Sequence, residues 1–353
     1  MNFSKTKLLS VLEACMPGIN DGASTVVGMD QFTIKNGRVI TYNDLVSVSA
    51  PIEQEAFSEV KGSFKASDFV KVLKKIKEET IDFEAGEKVW KFKFGRASVE
   101  VNLLRSETEA IIDCLAPSDD GWNELSADFL EGVNVCRMEK NKTKLNGIFF
   151  SGNRIVSSDG YTINDYEVKC NLPTFFISEN SIKELVKFKK VCRVKVEKGW
   201  VFFACEDATI FATKTLNAAG YPIAKIDSCF VDLDTDGLNS YIFPSEFFEA
   251  VNRSVGFASE ENNNPYVNIR FDGTKIEIET QKTSGKYTEN VDWDKAPATD
   301  DEVNFSIYAD TISFIAKRCK NFYLIKRSAA EPSLLFFTTE SSRHLFATLI
   351  VDK

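Results

Sequence analysis

Only one histidine, His344, occurs in 353 residues, and the eight cysteines (15, 114, 136, 170, 192, 205, 229 and 319) never form a C-x-x-C pair. Zinc sites and disulfide frameworks depend on clustered ligands, so neither is expected, and the thiols read as reduced core residues. His344 lies in the alternating stretch SSRHLFATLIV with no nucleophile motif beside it and reads as a strand residue. G-x-x-x-x-G-K-[ST], G-x-G-x-x-G and G-x-S-x-G are all missing, which removes the common phosphate cradles and the hydrolase elbow. No stretch approaches the roughly 18 apolar residues of a membrane span, and MNFSKTKLLS lacks the apolar core of a signal peptide. The expectation is a cytoplasmic protein with no catalysis, no metal and no cofactor.

What the chain does have is length, aromatic mass and an uneven charge. Hydrophobic residues make up 43%, with 29 Phe, and charged residues 27%. That suits two or three globular domains, which usually take about 100 to 200 residues each.

A long internal period organises it. SKTKLLSVLEAC from Ser4, SADFLEGVNVCRM from Ser126 and SEFFEAVNRSV from Ser245 each open with a capping residue and an amphipathic run, at intervals of 122 and 119 residues. Each precedes a hairpin signal: NGRVITY at 36, GNRIVSSDGY at 152 and DGTKIEIET at 272. A second helix follows, SDFVKVLKKIK from Ser67, SENSIKELVKFKK from Ser178 and ADTISFIAKRCK from Ala309, and then another hairpin. The second and third units close on IFATKTL and LFATLIV. This predicts three α+β units, each with two helices on antiparallel sheet, divided as 1–122, 123–235 and 236–353.

The net charge is -9, yet the six predicted helices sum to +8, which leaves -17 elsewhere. In the second helices Phe69, Leu73 and Ile76, then Ile182, Leu185 and Val186, then Ile312, Ile315 and Cys319 form an apolar stripe. Lys71, Lys74, Lys75, Lys183, Lys187, Lys190, Lys317 and Lys320 lie off it. Basic residues late in a helix also complement its dipole, by about 0.3 to 1 kcal/mol each. The dipole explains order along one helix but not acidic strands around three of them.

With these residues in view, the chain resembles the bacterial DNA polymerase processivity factor family, the beta sliding clamps. The likeness rests on LNGIFF (145–150) leading to SSDGYTIND (157–165), on GYPIAKI (220–226), and on the opening FSKTKLLSVLEACMPGI with GSFKASDFVKVLKKIK. It implies three tandem domains of the DNA-clamp type, closed head to tail as a homodimeric ring around double-stranded DNA. Lys71, Lys74, Lys75, Lys77, Arg137, Lys140, Lys183, Lys187, Lys190, Arg253, Lys317 and Lys320 would then face the phosphate backbone, which carries no sequence information. It also implies a cleft for a short peptide of a polymerase or clamp loader, built from Leu145, Gly160, Tyr161, Thr162, Ile163, Pro222, Leu349, Ile350 and Val351. Val99, Val101, Gly256 and Phe257 would form the dimer interface. Ile226 and Asp227 replace the family's basic and apolar pair after the proline, and ATLIVDK replaces its usual ending. Those departures leave the peptide preference of the cleft open, and the low identity fits a divergent, phage-encoded member.

Two other classes share some of these features. A repeated α+β interaction scaffold, such as a virion or regulatory protein that never encircles DNA, needs no common positive surface. Asp232, Asp234 and Asp236 in DLDTDG resemble the start of a calcium loop, but the glutamate at loop position twelve is missing.

Overall fold

The computed structural model describes residues 2–20, 22, 26–53, 55–138, 145–231, 233, 240–258, 266–271, 274–293, 303–308, 311–312, 314–315, 321–325 and 332–349. In the first third, β1 (Asn2–Ser4) runs directly into α1 (Lys5–Cys15), whose first turn is capped by Ser4 Oγ accepting from the Lys7 N–H. Then come β2 (Gln31–Lys35), β3 (Arg38–Tyr42), β4 (Val46–Pro51) and β5 (Gly62–Lys65). Helix α2 (Ala66–Lys75) is followed by β6 (Thr80–Ala85), β7 (Val89–Phe94), β8 (Ala97–Asn102) and the short α3 (Glu109–Cys114).

The middle third starts with β9 (Asn123–Glu124) and α4 (Phe129–Cys136), followed by the long strands β10 (Gly147–Ser158) and β11 (Thr162–Ser178). After α5 (Glu179–Leu185) come β12 (Val191–Glu197), β13 (Trp200–Cys205), β14 (Ile210–Lys214) and α6 (Ile223–Val231). The last third holds β15 (Ser240–Ile242), α7 (Phe247–Ala258), β16 (Tyr266–Phe271), β17 (Lys275–Lys282), β18 (Gly285–Asp292) and β19 (Val303–Tyr308). It ends with β20 (Asn321–Ile325), β21 (Leu334–Thr338) and β22 (Ser342–Ala347).

One strand order recurs three times. Each third contains a four-strand run whose first member leads into a helix: β1-β6-β7-β8, β9-β12-β13-β14 and β15-β20-β21-β22. A second run, β5-β2-β3-β4 in the first third, returns as β19-β16-β17-β18 in the last. The closing strands do not stay within their own third. β14 pairs with β4, aligning Phe211 with Val48, and β22 pairs with β11, aligning Phe346 with Thr162. Strands β8 and β18 each end their sheet.

Turn chemistry sets the hairpins. Asn36 and Gly37 both have positive φ (52° and 67°), as do Lys198 and Gly199 (53° and 78°), the pairing a tight two-residue turn needs. The hairpin expected within GNRIVSSDGY turns at the far end of that stretch. Gly152, with φ 60°, sits inside β10, and the chain reverses at Asp159 and Gly160, where Asp159 Oδ1 accepts from the N–H groups of Tyr161 and Thr162. A carboxylate that can tie two following amides favours the reversal there over Gly152–Asn153.

Helix limits also differ from expectation. Helix α2 begins at Ala66, not Ser67. Helix α4 begins at Phe129 without a side-chain cap, while the Ser126 hydroxyl is buried without a partner among the described residues. Helix α5 has its expected Ser178 cap but ends at Leu185, so Lys187 and Lys190 lie beyond it. Of the stretch 309–320, residues 311, 312, 314 and 315 are helical, with Ile312 and Ile315 buried; the rest, including Lys317 and Lys320, lies outside the described residues.

Two compact units form: Met1–Arg137 with Gly147–Ile155 and Val168–Gly220, and Met138–Asn146 with Val156–Glu167 and Tyr221–Lys353. In the first, the ring of Phe203 on β13 packs between Phe129 of α4 and Phe211 of β14, with centroids 5.9 and 6.2 Å away. In the second, Phe243 stacks on Phe247 and Phe322 at 4.2 and 4.1 Å. Each such side chain removed from water contributes about 1.5 to 3 kcal/mol, which is how a chain with 29 Phe holds so much sheet together.

Candidate nucleic-acid and peptide interfaces

Helix α2 buries Ala66, Phe69, Val70 and Leu73 and presents its lysines to solvent. Phe69 packs on Phe92 of β7 at 4.7 Å, which fixes the roll of the helix and turns Lys71, Lys74 and Lys75 outward. Lys77 is exposed just past the helix end. Helix α1 lies beside α2, and its Lys7, also exposed, extends the cationic strip. Lys7 escaped the sequence reading because α1 carries a net charge of only +1.

The start of α1 is held by Glu79. Its carboxylate accepts from the Ser4 hydroxyl at 2.5 Å and from the Thr6 hydroxyl at 2.7 Å, and these bonds pull its pKa down to about 2.

Several of the predicted cations are not free. Lys74 bridges to Glu13 of α1 at 2.8 Å, Lys187 to Glu184 at 2.6 Å and Lys190 to Glu206 at 3.2 Å. Lys71 stands 3.8 Å from Asp68. Arg253 pairs with Glu289, and this hydrogen-bonded carboxylate raises the guanidinium pKa further. Arg137 turns toward the buried Glu179 at 3.5 Å. Lys75 and Lys77 have no carboxylate within ion-pair distance among the described residues, and neither does Lys183. Lys140 lies outside the described residues. These exposed pairs are weak, worth about 0 to 1 kcal/mol, so phosphate can compete for the lysines.

Between the end of α1 and α5 a cleft of about 560 Å³ takes both charges, with Lys183 and Lys187 set against Glu13 and Glu184.

The predicted peptide residues fall around one strand junction. Thr162 and Ile163 open β11 and pair with Phe346 and Leu345 of β22. Tyr161 is 60% exposed, and its carbonyl accepts from the Ala347 N–H at 2.7 Å. Gly160 has φ 89°, a left-handed conformation that favours glycine, with open space around it. Pro222 immediately precedes α6, its carbonyl accepting from the Ile226 N–H at 3.1 Å, and Leu349 bridges to Ser306. Leu145 lies in the turn before β10, and Ile350 and Val351 are outside the described residues.

Helix α6 was not read from the sequence. Its signal was Pro222 followed by apolar residues four apart, since Ile226 and Phe230 are the pair it buries. Asp227 on α6 lies 3.8 Å from Arg343, whose guanidinium stands 4.1 Å over the Phe230 ring.

The predicted interface residues sit on sheet and helix margins. Val99 and Val101 are half-buried on β8, the last strand of its sheet. Gly256 and Phe257 close α7, where the Phe257 ring lies 4.4 Å from the Lys282 ammonium and 5.9 Å from the Tyr287 ring of β18. Asp232, Asp234 and Asp236 lie outside the described residues. No helix among the described residues is long and apolar enough to cross a membrane.

No protein-family model matches the chain, and no curated protein sequence matches it. Solved structures do match, over nearly the full length of both partners. The DNA polymerase sliding clamp of Bacillus subtilis superposes with a TM-score of 0.77 at 17% identity, covering 99% of each chain. The DNA polymerase III beta chain of Streptococcus pneumoniae gives 0.77 at 18% identity, covering 99% of this chain and 98% of its own. The Helicobacter pylori beta clamp bound to a DNA ligase peptide gives 0.77 at 13%, covering 99% and 100%. A repeated strand order and a whole-length superposition agree: the chain has the fold of the bacterial DNA polymerase III beta sliding clamps.

Proposed function

We propose that this protein is a DNA sliding clamp, a ring that encircles duplex DNA and tethers a polymerase without reading sequence and without catalysis. The observation that carries the proposal is the pattern of closing strands. β14 completes the first third's sheet and β22 completes the middle third's, so β8 is the closing strand left over and β18 the edge that no strand of this chain's described residues completes. By the same rule β8 of one copy pairs with β18 of another, and Val99, Val101, Gly256 and Phe257 lie on or beside those edges. Domains at 1–122, 123–235 and 236–353 follow from the same repeat, and two chains give a six-domain homodimer.

The exposed lysines on α1 and α2 would supply an attraction almost equal at every register of a phosphate backbone. Retention would come from closure, so the attraction need not be strong. The Tyr161, Thr162, Ile163 and Pro222 region would take a short peptide from a polymerase or loader, as the H. pylori clamp takes a DNA ligase peptide. The setting would be the cytoplasm of a cell or of a phage-infected host.

Loading onto nicked circular DNA by a cognate loader is the test. A clamp stays on the circle and is lost once the circle is cut. Equal retention on both forms means affinity without encirclement.

The pairing of Lys74, Lys187, Lys190 and Arg253 with carboxylates favours a second reading, a repeated scaffold with no DNA role. Replacing Lys71, Lys75, Lys77 and Lys183 with Glu separates the two, because only the clamp would lose DNA retention.

A further inference from the structure

The sheet that joins the first and middle thirds has two unlike faces. One carries Phe203, packed against Phe129 of α4, and Phe211 beside it. The opposite face carries Ile40, Phe202 and Ile210, and there, where β4 meets β14, a groove of about 510 Å³ opens beneath α3 and the strap that follows it. Ile112 and Trp122 form the apolar wall on the strap side.

The strap is fastened. The Lys195 ammonium, almost fully buried, donates to the carbonyls of Ser118 at 3.1 Å and Asp120 at 2.6 Å and pairs with Glu197 at 3.0 Å. The groove is therefore held open by the fold, and an occupant would not have to order it.

Its charge is also set. Lys35 is neutralised by Asp113 at 2.8 Å. Arg38 is fixed by the carbonyls of Ser49 at 2.9 Å and Ala208 at 2.8 Å, and Arg193 lies over the Trp122 ring at 5.4 Å. Among the described residues neither guanidinium has a carboxylate within ion-pair distance, and Asp119 is the one unengaged acid at the rim. The backbone of β4 and β14 is already paired, so recognition falls to side chains and not to strand addition.

We infer that this groove is a docking site for an extended acidic and apolar peptide of a partner protein, with an apolar side chain on Ile40, Phe202 and Ile210 and flanking carboxylates on Arg38 and Arg193. A guanidinium offers a forked donor pair that matches a carboxylate, and Arg193, stacked on Trp122, is the one placed to use it, while Arg38, whose Nε also donates to the Ser49 hydroxyl at 2.7 Å, contributes positive charge. The site goes beyond the proposed peptide cleft and lies at the corresponding junction one unit earlier, because β14 meets β4 as β22 meets β11. Each chain would then hold two peptides.

Methyl NMR on the full chain labelled at isoleucine tests this, with a short synthetic peptide of alternating Asp and Leu as the probe and its Lys-Leu counterpart as control. The acidic probe is expected to shift Ile40, Ile112 and Ile210, and Arg193→Glu to weaken that binding about tenfold. Shifts confined to Ile163 and Ile226 would overturn the second groove and leave the cleft standing. No shift at the three groove isoleucines, or equal shifts with the Lys-Leu control, would overturn it as well.

Discussion

Arg343 and Asp165 face each other directly across the β11–β22 ladder, with the guanidinium 2.7 Å from a carboxylate that is only 5% exposed. The same guanidinium covers Phe230 of α6, so one side chain ties two strands and a helix together. Arg343→Ala removes the cation from a buried acid and is expected to cost about 1 to 3 kcal/mol of unfolding free energy, read from denaturant titration. Asp165→Asn in the same background should recover part of that loss. Full additivity of the two changes would mean the pair is not coupled.

The proposed ring rests on its edge strands. A native mass of twice 39.6 kDa is expected by sedimentation equilibrium at micromolar concentration. Val99→Asp with Val101→Asp should halve it while leaving the circular dichroism spectrum unchanged. A wild-type monomer would remove the basis for a ring.

The unengaged lysines predict a salt signature. Each phosphate contact on duplex DNA contributes about 0.9 to the slope of log affinity against log salt. Lys75→Glu with Lys77→Glu should lower that slope by about two and weaken binding equally on unrelated sequences. A change that depends on sequence would contradict a backbone-only contact.

Acid should loosen the strap. The hydrogen bond from Lys195, then that from the Ser118 N–H, pulls Glu197 from 4.5 to about 2. A carboxylate with a lowered pKa stabilises the fold fully above its unfolded value, and the contribution is lost as pH falls toward the folded one. The melting temperatures of wild type and Glu197→Gln should therefore differ at pH 6 to 8 and converge between about pH 4.5 and 2. A gap that holds at pH 2 would place the effect elsewhere.

Thiol reactivity should follow burial. Removal from water pushes the Cys15 and Cys205 thiols up to about 12, while Cys114 and Cys229 are exposed. Iodoacetamide at pH 8 is expected to modify Cys114 and Cys229 and to spare Cys15 and Cys205 until denaturant is added, as read by peptide mass spectrometry.

Much of this fold is legible in the sequence because its signals are local. Ser4 and Ser178 cap their helices, and Asn36–Gly37 and Gly199 put Asn or Gly where the turn needs positive φ. The misread cases depend on competition between sites. GNRIVSSDGY offers two turn candidates, and Asp159, which ties two amides, wins over Gly152. Helix α5 stops at Leu185 although the periodicity runs on through Lys190. Helix α6 is short and bounded by Pro222, so only two apolar positions declare it.

The candidate site is harder to read, because charge counts do not reveal pairing. Lys74 finds Glu13 on another helix, and Arg137 turns to Glu179, partners 61 and 42 residues away that no helical period predicts. The cations without an ion-pair partner among the described residues, Lys7, Lys75, Lys77 and Lys183, emerge only when the neighbours are known.

Among the described residues β8 and β18 each leave one edge without a partner strand, and the two edges are unlike, so a contact between them is directional. Every copy that joins by this contact covers one end of each kind and brings another of each. The count of open ends never falls by growth; it reaches zero only if the last copy meets the first. For the proposed assembly, shape alone then decides between a finite circle and an endless fibre, and a small change in twist at these margins would favour the fibre.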